Sequence, residues 1–341
     1  MFEVFLGIGL IAFGASLSGS FAMPMSNTKG WSWENSWLAF CLFAYVIFPI
    51  ILSFICAPGF VSVLAEQPTS RIIWILSLGF LYGFANLSFG LSLKYLGLSV
   101  GYALSLGLMM VQGTVIPAVI DGRWSKMLSS DNGTILIYGL IVGVIGVTVI
   151  AYSGYLKEKN ENVDTSERNF AKGIAAALFV GFCGSADSLG IEQGSPISQN
   201  LIESGINPLF QSAPVLIILF GGSFISTLLC CLYLAKRNNS IKSFVCSKAE
   251  SRPLTKNYLF CAASGFLWFI NFIFYTMGRS RMGEFSFIAW GILMSLTILC
   301  GTLWGIYRGE WRNAPRNSKI IMYIGLMILA TAAFIIGMSS K

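Results

Sequence analysis

The chain contains no histidine, and only 11% of its 341 residues are charged. Without an imidazole, any group that exchanges protons near neutral pH within an apolar setting has to be a carboxylate, because Tyr and Lys titrate too high. The eight cysteines form no Cys-x-x-Cys pair, and seven of them (Cys41, Cys56, Cys183, Cys230, Cys231, Cys261, Cys300) fall in apolar runs. They read as small buried hydrophobes, so neither a metal site nor a disulfide framework is expected. No glycine-rich stretch ends in the Lys-Ser or Lys-Thr of a nucleotide-binding loop, which removes ATP as a visible energy source and leaves no cofactor implied. The opening MFEVFLGIGL lacks the basic region of a cleaved signal, so the first apolar run is expected to stay in the membrane.

What remains is apolar. Hydrophobic residues make up 55% of the chain and the mean hydropathy is +0.73, beyond any soluble globular class. A net charge of +7 suits nucleic acid in a soluble protein, but here Lys and Arg sit in short connections between apolar runs, so no nucleic-acid partner is expected. Ten runs are long enough to span a bilayer, near 3–23, 37–57, 72–93, 98–119, 134–154, 173–193, 211–235, 258–277, 285–307 and 319–338. The chain therefore reads as an all-α polytopic membrane protein of ten transmembrane helices. Pro49 should distort the second run.

A duplication organises these runs. Residues 79–124 form two apolar stretches joined by a short turn, and residues 265–311 repeat the layout: Gly79-Phe80-Leu81 is answered by Gly265-Phe266-Leu267, and Gly97 by Gly283, each 186 positions on. Trp124 is answered by Trp311 and Asn86 by Asn271. Two five-helix repeats follow, residues 1–156 and 173–341, with the polar stretch 157–172 as a cytoplasmic linker. Of the 22 Lys and Arg residues, sixteen fall in the odd-numbered connections. The positive-inside rule puts those connections in the cytoplasm and both termini outside, and an odd number of helices per repeat makes the repeats inverted. Glycines four residues apart (Gly79 and Gly83, Gly97 and Gly101, Gly139 and Gly143, Gly301 and Gly305) mark close helix contacts.

Chemistry is expected where polar groups are expensive. Asp187 lies deep in the sixth run, Glu192 five residues beyond it, and Glu284 opens the ninth; these are the candidate proton-coupling carboxylates. Asn86, Gln112 and Asn271 supply amides, while Tyr82, Tyr102, Trp268, Tyr275 and Trp290 supply rings. Amides that bond hydroxyls and rings that stack on an apolar sugar face suit a neutral polyol. A carboxylate in an aromatic cavity also suits a cation, which keeps open an exporter of amino acids or other small metabolites.

The segments Lys29-Gly30-Trp31-Ser32-Trp33-Glu34, Lys94-Tyr95-Leu96-Gly97-Leu98-Ser99 and Gly309-Glu310-Trp311 resemble the L-rhamnose/proton symporter family of the drug/metabolite transporter superfamily. The resemblance covers nearly the whole chain. It implies a ten-helix inverted repeat in the bacterial inner membrane with periplasmic termini. It also implies proton-driven uptake of L-rhamnose held between the first, third and fourth and the sixth, eighth and ninth helices. Sugar, protons and the lipid bilayer are the implied partners, and the chain is not expected to be an enzyme.

Overall fold

The computed structural model describes residues 2–120, 122, 124–160, 169–245, 254–283, 286 and 289–338. Glu284 and residues 161–168 of the expected linker lie outside the described residues. Among the described residues the regular structure is entirely helical. Nine helical segments there are long and apolar enough to cross a membrane: α1 (Glu3–Met25), α2 (Trp33–Cys56), α3 (Thr69–Gly113), α4 (Gly133–Lys157), α5 (Phe170–Glu203), α6 (Pro208–Arg237), α7 (Leu254–Arg281), α8 (Ala289–Tyr307) and α9 (Arg316–Ile336). The chain is a multi-pass membrane protein.

Two expected irregularities have local causes. Pro49 has no N–H to give the carbonyl one turn earlier, and the helix answers with a π-helical turn over Leu42–Ile47 just before it. In α3, Gly97 adopts φ 80° and ψ 174°, and the chain folds back there. The hydroxyls of Ser92 and Ser105 lie 2.7 Å apart, although thirteen residues of straight helix would separate them by about 20 Å. A Cβ on Gly101 would come within 3.1 Å of the Leu93 Cα, so the two arms touch closely where that glycine permits it.

The connection expected between the sixth and seventh runs is itself partly helical. The long first helix of α5 ends at Gln193, and the remainder of α5, Ser195–Glu203, is a second short helix that buries Ile197 and Leu201 and packs on a short helix at Phe60–Ala65. An amphipathic pattern too short to span a bilayer still finds a partner at its edge.

The chain divides into two compact units. One comprises Met1–Gly19, Ala85–Ser188 and Met277–Lys341, the other Ser20–Phe84 and Leu189–Thr276. In the first unit, α4 and α9 run antiparallel along a glycine seam. Added Cβ atoms would meet Ile336 from Gly139 at 2.5 Å, Leu329 from Gly146 at 3.0 Å and Ile150 from Gly325 at 2.5 Å. In the second unit, α3 and α6 approach backbone to backbone: a Cβ on Gly79 would overlap Leu219 O, and one on Gly222 would overlap Leu76 O. Ser223 Oγ donates to Gly79 O at 2.9 Å across the same contact. Small residues thus let helices approach where lipid supplies no hydrophobic drive. The aromatic core of the second unit joins Tyr45, Phe220, Trp268 and Phe272, with Trp268 centred 5.1 Å from Tyr45, 5.1 Å from Phe220 and 4.7 Å from Phe272.

Each unit also carries a polar clasp. In the first, Glu310 lies at the start of the second arm of α3: its Oε1 accepts from Leu98 N at 2.8 Å, and its Oε2 accepts from Ser99 N and Ser99 Oγ, both at 3.2 Å. Trp311 Nε1 donates to Ser99 Oγ at 2.9 Å, and Lys157 Nζ lies 5.2 Å above the Trp311 ring. A carboxylate at a helix N-terminus satisfies open N–H groups and meets the positive end of the helix dipole. In the second unit, Glu34 is buried and accepts from Asn238 Nδ2 at 3.0 Å and Ser240 Oγ at 2.7 Å. Lys29 and Asn257 exchange two bonds there, Lys29 N to Asn257 Oδ1 and Asn257 Nδ2 to Lys29 O.

Candidate functional site

One turn of α3, from Met109 to Gly113, is gripped from two sides within the first unit. Trp290, at the start of α8, donates its Nε1 hydrogen to Met109 O at 3.3 Å. Its indole lies so close to Gly113 that a Cβ there would sit 2.2 Å from Nε1, which only glycine avoids. On the other side, α5 sets Gly184 against the Met109 side chain, and Ser188 Oγ lies 3.1 Å from Gly113 O. Gly181 meets Leu108 on the same face. These contacts ascend together along both helices, so the two run parallel.

Residues 183–191 of α5 are buried all round, as befits a helix enclosed by neighbours. Within that stretch Asp187 is 0% exposed, and neither carboxylate oxygen has a hydrogen-bond partner among the described residues. Asp187 lies between Gly184 and Ser188, the two residues through which α5 meets the Met109–Gly113 turn. On that turn, Gln112 Oε1 is likewise buried without a partner. On α8, Ser295 Oγ contacts Met110 Sδ at 3.1 Å, and Thr297 Oγ1 is buried and unpartnered.

Buried polar atoms are satisfied in the great majority of cases, so three such acceptor oxygens on Asp187 and Gln112 call for donors. An ionised carboxylate held there without a counter-ion is costly, and adding a proton removes the charge. Among the described residues no group of three His, Cys, Asp or Glu could hold a metal ion. The arrangement can take up a proton and can accept hydrogen bonds from a hydroxyl-rich ligand.

Residues 2–340 match the family described as L-rhamnose-proton symport protein (RhaT). The chain belongs to that family. It is 29% identical over 337 residues to a protein named L-rhamnose-proton symporter from Mannheimia succiniciproducens, which covers 98% of each chain. It is 30% identical over 336 residues to one of the same name from Citrobacter koseri, covering 98% of this chain and 97% of that one. A protein of that name from Escherichia coli matches at 29% over 97% of each. The relatives are named as transporters, not enzymes.

The segments that carry the likeness to the L-rhamnose-proton symport family hold the two clasps rather than the Asp187 site. Of the residues expected to act, Asp187, Gln112 and Trp290 lie on the three helices that meet at the Met109–Gly113 turn. Asn86 and Tyr102 fall in the same unit, but Tyr102 is 1% exposed, packed on Gly301 and Phe89, and its hydroxyl donates to Ser18 O. Tyr82, Glu192, Trp268, Asn271 and Tyr275 belong to the second unit, where Glu192 is half-buried and Asn271 Nδ2 donates to Trp268 O of its own helix. Glu284 lies outside the described residues. For Ser188 the sequence carries a single signal, a hydroxyl next to an acid in an apolar run.

Proposed function

We propose that this chain imports L-rhamnose, or a closely related neutral deoxysugar, together with protons across the bacterial inner membrane. The observation that carries this reading is the fully buried Asp187 carboxylate with both oxygens unpartnered, in a chain of a family whose relatives are named for that symport. A symporter binds proton and solute on the outer side and releases both inside. Asp187 carries the proton, with Glu192 and Glu284 as the carboxylates next in line. In the first unit, the Gln112 oxygen accepts from sugar hydroxyls and the Trp290 indole offers a ring face. Asn86, Tyr102, Tyr82, Trp268, Asn271 and Tyr275 remain sugar-contact assignments; Tyr102 and Asn271 must exchange bonds they already make. Proton entry supplies about 2.3 kcal/mol per 100 mV of membrane potential, enough for accumulation by more than tenfold.

The architecture we assign is ten membrane helices in two inverted repeats, residues 1–156 and 173–341, joined by a cytoplasmic linker, with both termini periplasmic. Folding back of α3 at Gly97 supports a tenth helix. A further support is the placing of positive φ angles, at Gly30, Gly59, Gly97 and Gly122 in one half and at Gly205, Asn239, Gly283 and Gly309 in the other. Each stands at a connection between helices, and Gly97 and Gly283 are 186 positions apart.

The test is transport by Asp187→Asn in proteoliposomes. The amide keeps the shape and stands for the protonated state, so the variant should exchange labelled for unlabelled L-rhamnose but fail to accumulate it under an imposed pH gradient. Accumulation equal to the parent's would remove Asp187 from the coupling step.

A further inference from the structure

Gly113 presents an unusual backbone acceptor. The helix continues past the apolar span of α3 to Ile120, so the Gly113 carbonyl should receive the N–H four residues on, but residue 117 is proline and has none to give. The carbonyl is not left bare, because Ser188 Oγ lies 3.1 Å from it, reaching over from α5. The same hydroxyl is 3.0 Å from Ser185 O in its own helix. One hydroxyl hydrogen cannot serve both acceptors fully. Ser185 O faces a residue with an N–H, Leu189, at the helical position where Gly113 O faces proline, so Gly113 is the acceptor in need. Ser188 is 6% exposed, follows Asp187 directly, and bonds to the residue after Gln112.

We propose that Ser188 is a positioning residue for the coupling carboxylate: by supplying the hydrogen bond that Pro117 withholds from Gly113, it fixes the turn of α5 bearing Asp187 against the turn of α3 bearing Gln112. This rests on the assignment of Asp187 as the proton carrier. The bond ties two parallel helices at one height, and Gly113 is also the residue against which Trp290 lies. A change in the protonation of Asp187 is thereby felt at the amide and the indole assigned to the sugar.

The experiment uses the full chain in proteoliposomes, with L-rhamnose exchange and pH-driven accumulation measured side by side. Ser188→Ala should lower accumulation relative to exchange by about threefold to tenfold, what one neutral hydrogen bond is worth in an equilibrium. Ser188→Thr, which keeps the hydroxyl, should restore the ratio. The decisive variant is Ser188→Ala combined with Pro117→Ala, whose new backbone N–H can reach Gly113 O; it should recover most of the lost coupling. If the double variant is no better than Ser188→Ala, or if Ser188→Ala couples as the parent does, the proposal is wrong. Should Ser188→Ala not reach the membrane, Ser188→Cys, a weaker donor of like shape, takes its place with the same rescue as readout. Asp187→Asn run alongside separates the two readings: accumulation by that variant overturns the coupling assignment, whereas its loss without rescue by Pro117→Ala overturns only the positioning role.

Discussion

A methyl group added at Gly301 would sit 2.5 to 2.7 Å from three atoms of the Tyr102 ring. The ring cannot step aside, being 1% exposed with Phe89 centred 5.3 Å away on edge. Overpacking of this kind costs about 1–3 kcal/mol, against at most about 1 kcal/mol gained in helix propensity. Gly301→Ala should therefore lower the melting temperature in detergent, while Gly9→Ala, with nothing within 4 Å, should not. Equal melting of both variants would mean that the ring does not rest on that glycine. A second contrast concerns the amides. Gln112 Oε1 has no partner, whereas Asn271 is bonded within its own helix. Gln112→Leu should weaken L-rhamnose binding by about 1–3 kcal/mol and Asn271→Leu by clearly less, measured by equilibrium binding to the purified protein. The reverse order would exchange their roles. At this scale a sequence displays which residue is expensive or small but not what it faces. Asp187 stood out because a charge in an apolar run needs a reason. The role given to Ser188 depends on Gly113 and Pro117, both far away in the chain, and that the Tyr102 ring rests on Gly301 is a contact between distant segments.

Among the elements, the hairpin of α3 shows how a short motif acts. Lys94 to Ser99 reads from sequence as a turn, and Gly97 with φ 80° makes it one. What the sequence leaves hidden is that the turn is closed from more than 200 residues away, by Glu310 at Leu98 and Ser99. Removing the carboxylate frees two backbone N–H groups at a helix start and cancels a charge-dipole attraction, together about 1–3 kcal/mol. Glu310→Ala should speed hydrogen exchange at the Leu98 and Ser99 amides and lower thermal stability, and Glu310→Gln should fall between it and the parent because the amide oxygen still accepts. Unchanged exchange at both amides would show that the cap is not what holds the turn. Glu34 teaches the same lesson in the other unit. It read as part of a connection, yet its carboxylate is buried on Asn238 and Ser240, which lie beyond the far end of α6. Apolar length and breaker residues made the helices legible; their side-chain ties come from contacts between distant segments, which no local pattern encodes.

For the whole molecule the deciding quantity is the parity of the spans. Among the described residues nine segments satisfy the length and hydropathy of a span, but α3 alone runs for 45 residues, more than twice the roughly 20 that a bilayer needs. Crossed once, it leaves an odd number of spans and termini on opposite sides. Folded at Gly97, where the Ser92 and Ser105 contact shows the fold-back, it would on the proposed architecture cross twice and return both termini to one side. With the sixteen-to-six distribution of Lys and Arg, the proposed orientation would then put those termini outside. Reporter fusions separate the two cases. A fusion after Met338 and one before Glu3 should both be active in the periplasm, while one at Lys242 and one at Lys94 should be active in the cytoplasm. The fusion at Lys94 is the sharpest, since it stands at the fold of α3, where a singly crossing helix would hold it inside the bilayer, accessible from neither side. Termini found on opposite faces would remove the tenth helix and with it the inverted repeat. A cytoplasmic signal at Lys94 with periplasmic signals at both ends fits only an even count with the hairpin turn facing inward, the arrangement in which Glu310 closes that turn from the cytoplasmic face.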